Sequence, residues 1–326
     1  MGYPIQRLRR LRINENIRRM VRETSVSVND LILPLFVVHG MDIKKEINVL
    51  PGNFHLSLDK LVDEVRYVRE LGIPAVILFG LPEHKDEFAT EAYNPEGVVQ
   101  NAVRTIKKEV QDILVITDVC LCEYTSHGHC GIIQDGYVQN DPTLDIIKKI
   151  TLSHAEAGAD MVAPSAMMDG QIGVMRAVLD DNGFPNVGIM GYSAKYASKL
   201  YEPFFQEGTK STVLFGDKKS HQMDYGNGNE AMREIALDIE EGADIIIVKP
   251  AMFYLDIVYR AKKQFGIPLS VYNVSGECAM VTSAAEAGRL DKTAIIMEMV
   301  TGFKRAGADL IITYFAKEIS KQLRIV

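Results

Sequence analysis

Glu241-Gly-Ala-Asp-Ile-Ile-Ile-Val-Lys-Pro250 decides the fold, because the same pattern recurs along the chain. Ala157-Gly-Ala-Asp-Met-Val-Ala-Pro164 and Ala306-Gly-Ala-Asp-Leu-Ile-Ile-Thr-Tyr314 are near copies of it. In each, glycine supplies the left-handed conformation that closes a helix, a short acidic turn follows, and an aliphatic run reads as a buried strand. Outward from these three junctions, residues 31–38, 73–80, 112–118, 187–192 and 267–273 have the same strand character, which brings the count to eight. Between the first two, Ser57-Leu58-Asp59-Lys60 opens an amphipathic helix with apolar residues at 58, 61, 65, 68 and 71, ended by Gly72. Strands alternating with helices at this spacing indicate parallel βαβ units, and eight of them fit a closed (β/α)8 TIM barrel. The rival is a doubly wound open sheet, but no G-x-G-x-x-G turn follows the first strand. The predicted organisation is an N-terminal arm over residues 1–28 and a (β/α)8 barrel over residues 29–326.

With 326 residues, 47% of them hydrophobic, the chain is long enough to bury one large core. Its apolar runs fall short of the ~20 residues of a membrane helix, and no apolar segment follows the basic N-terminus as it would in a secretory signal. These features predict a cytoplasmic protein without membrane partners. A net charge of −7 argues against nucleic acid, although the first 22 residues hold seven arginines. That basic segment reads as an arm docking on an acidic neighbouring subunit, the alternative being a frayed tail. Three of the four cysteines lie within Cys120–Cys130, a spacing that points to metal or catalysis rather than to a disulfide framework.

Residues just past the carboxyl end of a barrel strand face the active site. Strand three delivers Asp118 and the loop Cys120-Leu-Cys122-Glu-Tyr-Thr-Ser-His127-Gly-His129-Cys130, and strand four delivers Ser165. Tyr192 and Lys195 follow strand five, Lys249 ends strand six, Ser275 follows strand seven and Tyr314 strand eight. Lys249 comes after four aliphatic residues, so desolvation should lower its pKa and leave a neutral amine able to form a Schiff base. Lys195 on the neighbouring strand would lower it further; the structural alternative for either lysine is an ion pair. Three thiolates fit a zinc ion with one open position. A closed site would instead recruit His127 or His129 as the fourth ligand. Cys278 reads as a small buried apolar residue.

Taken together, the cysteine loop, the two lysines and Tyr272-Asn-Val-Ser-Gly-Glu277 closely resemble the porphobilinogen synthase (5-aminolevulinate dehydratase) family. The resemblance runs end to end, through Pro34-Leu-Phe-Val37, Leu78-Phe-Gly-Leu-Pro82, Met167-Met-Asp-Gly170, Tyr192-Ser-Ala-Lys-Tyr-Ala-Ser198, Phe215-Gly-Asp217 and Lys304 to Phe315. It implies condensation of two 5-aminolevulinate molecules to porphobilinogen, with loss of two waters, in tetrapyrrole synthesis. By that resemblance Lys249 forms the Schiff base with the first-bound substrate and Lys195 with the second, beside a catalytic zinc on Cys120, Cys122 and Cys130. Asp118 and Ser165 would position the second substrate or move its protons, and Ser275 and Tyr314 would bind the first carboxylate. Tyr192, Lys218 and Gln222 complete the implied substrate-binding set. The resemblance also implies a homo-octamer assembled through the arm. It places an allosteric magnesium at Glu234, against the alternative of a solvated helix face among Glu230, Glu240 and Glu241.

The sequence departs from the family pattern around the lid. Tyr201-Glu-Pro-Phe-Phe205 has Phe205 where an arginine is expected to hold a substrate carboxylate, and Lys218 replaces a second arginine. Lys210 or Lys218 could compensate, but a lysine lacks the bidentate fork. Gln171, His221, Tyr225 and Cys278 are further changes. One alternative keeps the Schiff-base and zinc chemistry on a different aminoketone, and another, of a different class, is a non-catalytic ligand-binding barrel.

Overall fold

The computed structural model describes residues 4–325, so residues 1–3 of the predicted arm and residue 326 lie outside the described residues. Eight parallel strands form the barrel. They are β1 (Leu31–Val38), β2 (Ala75–Leu81), β3 (Leu114–Val119), β4 (Met161–Pro164), β5 (Gly188–Lys195), β6 (Ile245–Lys249), β7 (Leu269–Asn273) and β8 (Leu310–Thr313). Each pairs with its successor, and β8 returns to β1 through Leu31↔Ile311 and Ile32↔Ile312. The closed barrel is the expected one, and closure rules out the open sheet. Helices cover the outside and side chains fill the inside, so the strands are apolar on both faces.

The repeated junctions have a physical role beyond turning the chain. Gly158, Gly242 and Gly307 have φ of 102°, 106° and 121°, as expected of glycines that end helices. The aspartate after each is more than a turn residue, because its carboxylate bonds across to the preceding strand. Asp160 accepts the Val115 N–H at 2.7 Å, Asp244 that of Ile189 at 2.8 Å, and Asp309 that of Leu269 at 2.8 Å. Its own N–H donates to the carbonyl of the same residue, at 3.0, 3.0 and 2.8 Å. Three near-identical staples therefore join β3 to β4, β5 to β6 and β7 to β8 at the amino end of the barrel. A hydrogen bond to a charged acceptor contributes about 1.5–3 kcal/mol.

Four strands begin later than expected: β3 at Leu114 and β5 at Gly188, and β2 and β7 at Ala75 and Leu269, the last two because Pro74 and Pro268 have no N–H for the ladder. More consequential for the site, β5 runs three residues further than expected and ends on Lys195. Short pairs not expected from the sequence are Lys44–Glu46 with Phe54–Leu56, and Ile132–Gln134 with Tyr137–Gln139 just after the cysteine loop. The N-terminal segment forms helical turns at Leu8–Arg12 and Glu15–Met20 with no buried residue, leaving Ile5, Leu8, Leu11, Ile13 and Met20 exposed. No described helix is long and apolar enough to cross a membrane.

Candidate active site

Lys195 and Lys249 are register partners at the carboxyl ends of β5 and β6, so their backbones lie one strand spacing apart, ~4.8 Å. The Lys249 ammonium sits over the rings of Tyr272, Tyr192 and Tyr201, at 4.1, 5.1 and 5.4 Å from their centroids. Ring faces favour the cation, whereas burial and the neighbouring Lys195 charge disfavour it. Burial prevails, and the Lys249 pKa falls to about 7. Raising pH through that value removes the proton and exposes the nucleophile. The rate at which a carbonyl compound becomes trapped on Lys249 should therefore rise through pH 7 and level off above it. A limb near the ordinary lysine value of 10.5 would contradict the burial argument.

Lys195 donates from Nζ to the carbonyl oxygen of Ser165, which ties β5 to the end of β4. The Ser165 hydroxyl in turn donates to Asp118 Oδ2 at 3.0 Å. Asp118 is only 8% exposed, and its Oδ1 is buried without a hydrogen-bond partner among the described residues. Burial, helped by the Glu123 charge and opposed by both lysines, pushes the Asp118 carboxyl up to about 8. Lys195, Ser165 and Asp118 thus form a continuous polar line from the second lysine toward the cysteine loop.

The sulfurs of Cys120 and Cys122 are 3.4 Å apart, and those of Cys120, Cys122 and Cys130 all fall within 4.8 Å of one another. Three sulfurs bound at ~2.3 Å around a tetrahedral zinc would be ~3.8 Å apart, so the donor set fits that ion with a small adjustment. The alternative of a histidine fourth ligand is not supported, because no histidine nitrogen joins the cluster among the described residues. His129 Nε2 instead lies 2.9 Å from the Phe215 carbonyl, and His127 Nδ1 accepts the His129 N–H. The group that does approach is Glu123, which accepts from Cys122 Sγ at 3.2 Å and shares a potential ligand set with Asp118 and Cys120.

Residues 199–224 form a lid over this end of the barrel, closed directly on the cysteine loop. Leu214 donates its N–H to the His127 carbonyl at 3.2 Å, and Lys85 donates to the Lys210 carbonyl at 2.6 Å. Gly128 has φ of 75°, and a Cβ there would lie 2.4 Å from the Thr212 carbonyl oxygen, so only glycine permits the contact. Beneath the lid, Lys195, Lys249, Ser165, Ser275, Tyr314, Lys218, Gln222 and Cys122 line one cavity of about 50 Å³. That space admits about three or four waters.

A family profile described as delta-aminolevulinic acid dehydratase matches residues 5–322. The chain belongs to this family. It is 52% identical over 326 residues to the delta-aminolevulinic acid dehydratase of Synechocystis sp., covering 99% of each chain. Identity to that of Bacillus subtilis is 48% over 323 residues, again with 99% of each covered. A crystal structure of the Toxoplasma gondii ME49 enzyme, in complex with its reaction product porphobilinogen, superposes with a TM-score of 0.95 at 41% identity. The match covers 98% of this chain and 92% of that one.

Within this dehydratase fold most of the nominated residues converge, with two exceptions. Tyr192 was expected to bind substrate, but it is fully buried outside the cavity lining, and its ring lies beneath both lysine ammonium groups. Glu234 lies on the helix Gly228–Glu240, away from the lysines, and lines a separate cavity with Asp169, Glu230, Asp238 and Glu241. It is half-buried rather than solvated; burial, with the Asp169 and Glu230 charges, raises its carboxyl pKa. Sequence reasoning missed Tyr272 and Tyr201, which wall the Lys249 amine, and Glu123. Tyr272 is the penultimate residue of β7 and stood in the quoted Tyr272–Glu277 motif without a role. Nothing local marks Tyr201, which reaches Lys249 from the lid and donates to its carbonyl at 3.1 Å.

Proposed function

We propose that this chain condenses two molecules of 5-aminolevulinate into porphobilinogen with loss of two waters, using Schiff bases on Lys249 and Lys195. The observation that carries the reading is the register-matched lysine pair in one cavity beside three converging thiols. The neutral Lys249 amine adds to the ketone carbon of the first substrate; the carbonyl oxygen takes up two protons and leaves as water, forming the C=N bond. Tyr272, Tyr192 and Tyr201 favour the resulting cation with their ring faces. Ser275 and Tyr314, both in the cavity wall, hold the first carboxylate. Lys195 engages the second ketone in the same way, and the Ser165–Asp118 pair moves the protons. Across the whole reaction two ketone oxygens leave as water, and one carbon–carbon and one carbon–nitrogen bond form.

Cys120, Cys122 and Cys130 would hold zinc on the side of Lys195, where the ion supplies Lewis-acid polarisation. Lys218 and Gln222 face the second substrate from the lid. Burial opposes charge on Lys218, but the Cys122, Cys130, Cys120 and Glu123 charges outweigh it and keep the group a cation. The acidic cavity around Glu234 is the place for magnesium, an oxygen-seeking ion. The exposed apolar and basic arm is the surface through which an octamer would assemble.

The test is direct: purified protein with zinc receives 5-aminolevulinate, and pyrrole product is measured. The alternative aminoketone is favoured by one observation, the Phe205 ring lying 4.6 Å from the Lys218 ammonium where a second cation would otherwise serve the carboxylate. Under the leading reading, Phe205→Arg adds a charge-assisted hydrogen bond worth about 1.5–3 kcal/mol and lowers KM for 5-aminolevulinate by one to two decades. An unchanged or higher KM would favour the aminoketone without that carboxylate.

A further inference from the structure

Glu277 is fully buried and lies outside the cavity lining, yet its carboxylate accepts from four donors. Oε1 takes the N–H groups of Ala251 at 3.0 Å and Met252 at 2.5 Å; Oε2 takes the Val274 N–H at 2.9 Å and Asn273 Nδ2 at 2.8 Å. The Val274 bond is an ordinary capping-box contact from the third position of the helix Ser275–Glu286. The other three are not explained by capping. Ala251 and Met252 belong to the loop two and three residues past Lys249, whereas Asn273 ends β7. Asn273 passes the link on, since its Oδ1 accepts from Thr313 Oγ1 at 2.8 Å, one residue before Tyr314.

The sheet itself does not hold Lys249 against β7. The β6–β7 register ends at Val248↔Val271, so no ladder pair joins Lys249 to that strand. The bonds from Glu277 take over where the ladder stops, and a single carboxylate spans the ends of β6, β7 and, through Asn273, β8. Burial pushes its carboxyl up to about 7, against the pull of those donors.

We propose that Glu277 is the positioning residue that fixes Lys249 relative to Ser275 and Tyr314, and so sets where the first substrate's ketone and carboxylate are held. This rests on the reading of Lys249 as the Schiff-base lysine. Glu277→Gln tests it, because an amide keeps one acceptor and turns the other into a donor. Whichever way it turns, its NH2 faces either Ala251 and Met252 or Val274 and Asn273. Asn273 cannot flip to accommodate it, since its Oδ1 already accepts from Thr313 and from Cys278 Sγ at 3.2 Å.

The expected result is a fall of about tenfold or more in the rate of borohydride trapping of 5-aminolevulinate on Lys249, with zinc content and melting temperature near wild type. Adding Asn273→Asp restores an acceptor opposite the new amide and recovers most of the lost rate. A second readout needs no substrate: acetylation of Lys249 against pH, followed by mass spectrometry. Its midpoint moves in Glu277→Gln and returns in the double variant. A wild-type midpoint in Glu277→Gln, a loss that only tracks zinc content and melting, or no recovery in the double variant overturns the proposal. If the wild type neither makes pyrrole nor traps substrate, the reading of the function fails, and the acetylation profile still decides the role of Glu277.

Discussion

Lys249→Met lowers kcat/KM for pyrrole formation by about four to six orders of magnitude, the scale on which removing a covalent nucleophile acts. Methionine keeps most of the side-chain volume, so the walls of Tyr272, Tyr192 and Tyr201 stay packed and the loss reports chemistry rather than collapse. Lys249→Arg should fail as completely, because a guanidinium keeps the charge but cannot give the neutral amine that burial produces here. Steady-state pyrrole assays with zinc content as a control decide the matter. Activity within tenfold of wild type in either variant would remove Lys249 from the mechanism.

The second large effect is expected of the zinc proposed on Cys120, Cys122 and Cys130. Stripping the protein with a chelator should lower turnover by about two to four decades, since a Lewis acid supplies several kcal/mol to such steps. Zinc restores the rate and magnesium does not, because thiolates are soft ligands. Cys122→Ala removes one of three sulfurs, so it should lower both bound zinc and turnover, and excess zinc should recover only part of the loss. A chelated protein that keeps full turnover would show that the cysteines serve only structure.

The barrel was legible because its closure is encoded locally and repeatedly. The three Gly-Ala-Asp junctions could be seen in the sequence, although not that Asp160, Asp244 and Asp309 staple neighbouring strands; that bond joins residues about 40 to 55 apart in the chain. Lys249 was legible from four aliphatic neighbours and a strand end. Lys195 was nominated just past β5, and what the structure adds is that the strand reaches it and pairs it with Lys249. The histidine alternative finds no support among the described residues, where no histidine nitrogen joins the three sulfurs and His129 Nε2 lies against the Phe215 carbonyl, a contact invisible in spacing. That the Tyr192 ring lies buried beneath both lysines was not legible, because strand alternation tells which face a side chain takes but not its depth. Glu277 stood within a quoted motif and went unassigned, because its partners lie on two other strand ends.

The most direct test of the account is borohydride reduction of the zinc-loaded protein during turnover of 5-aminolevulinate, followed by peptide mass mapping. The account predicts a substrate adduct on Lys249, with its yield rising as pH passes through about 7. Pyrrole produced at full rate with no adduct on Lys249 at any pH would contradict it.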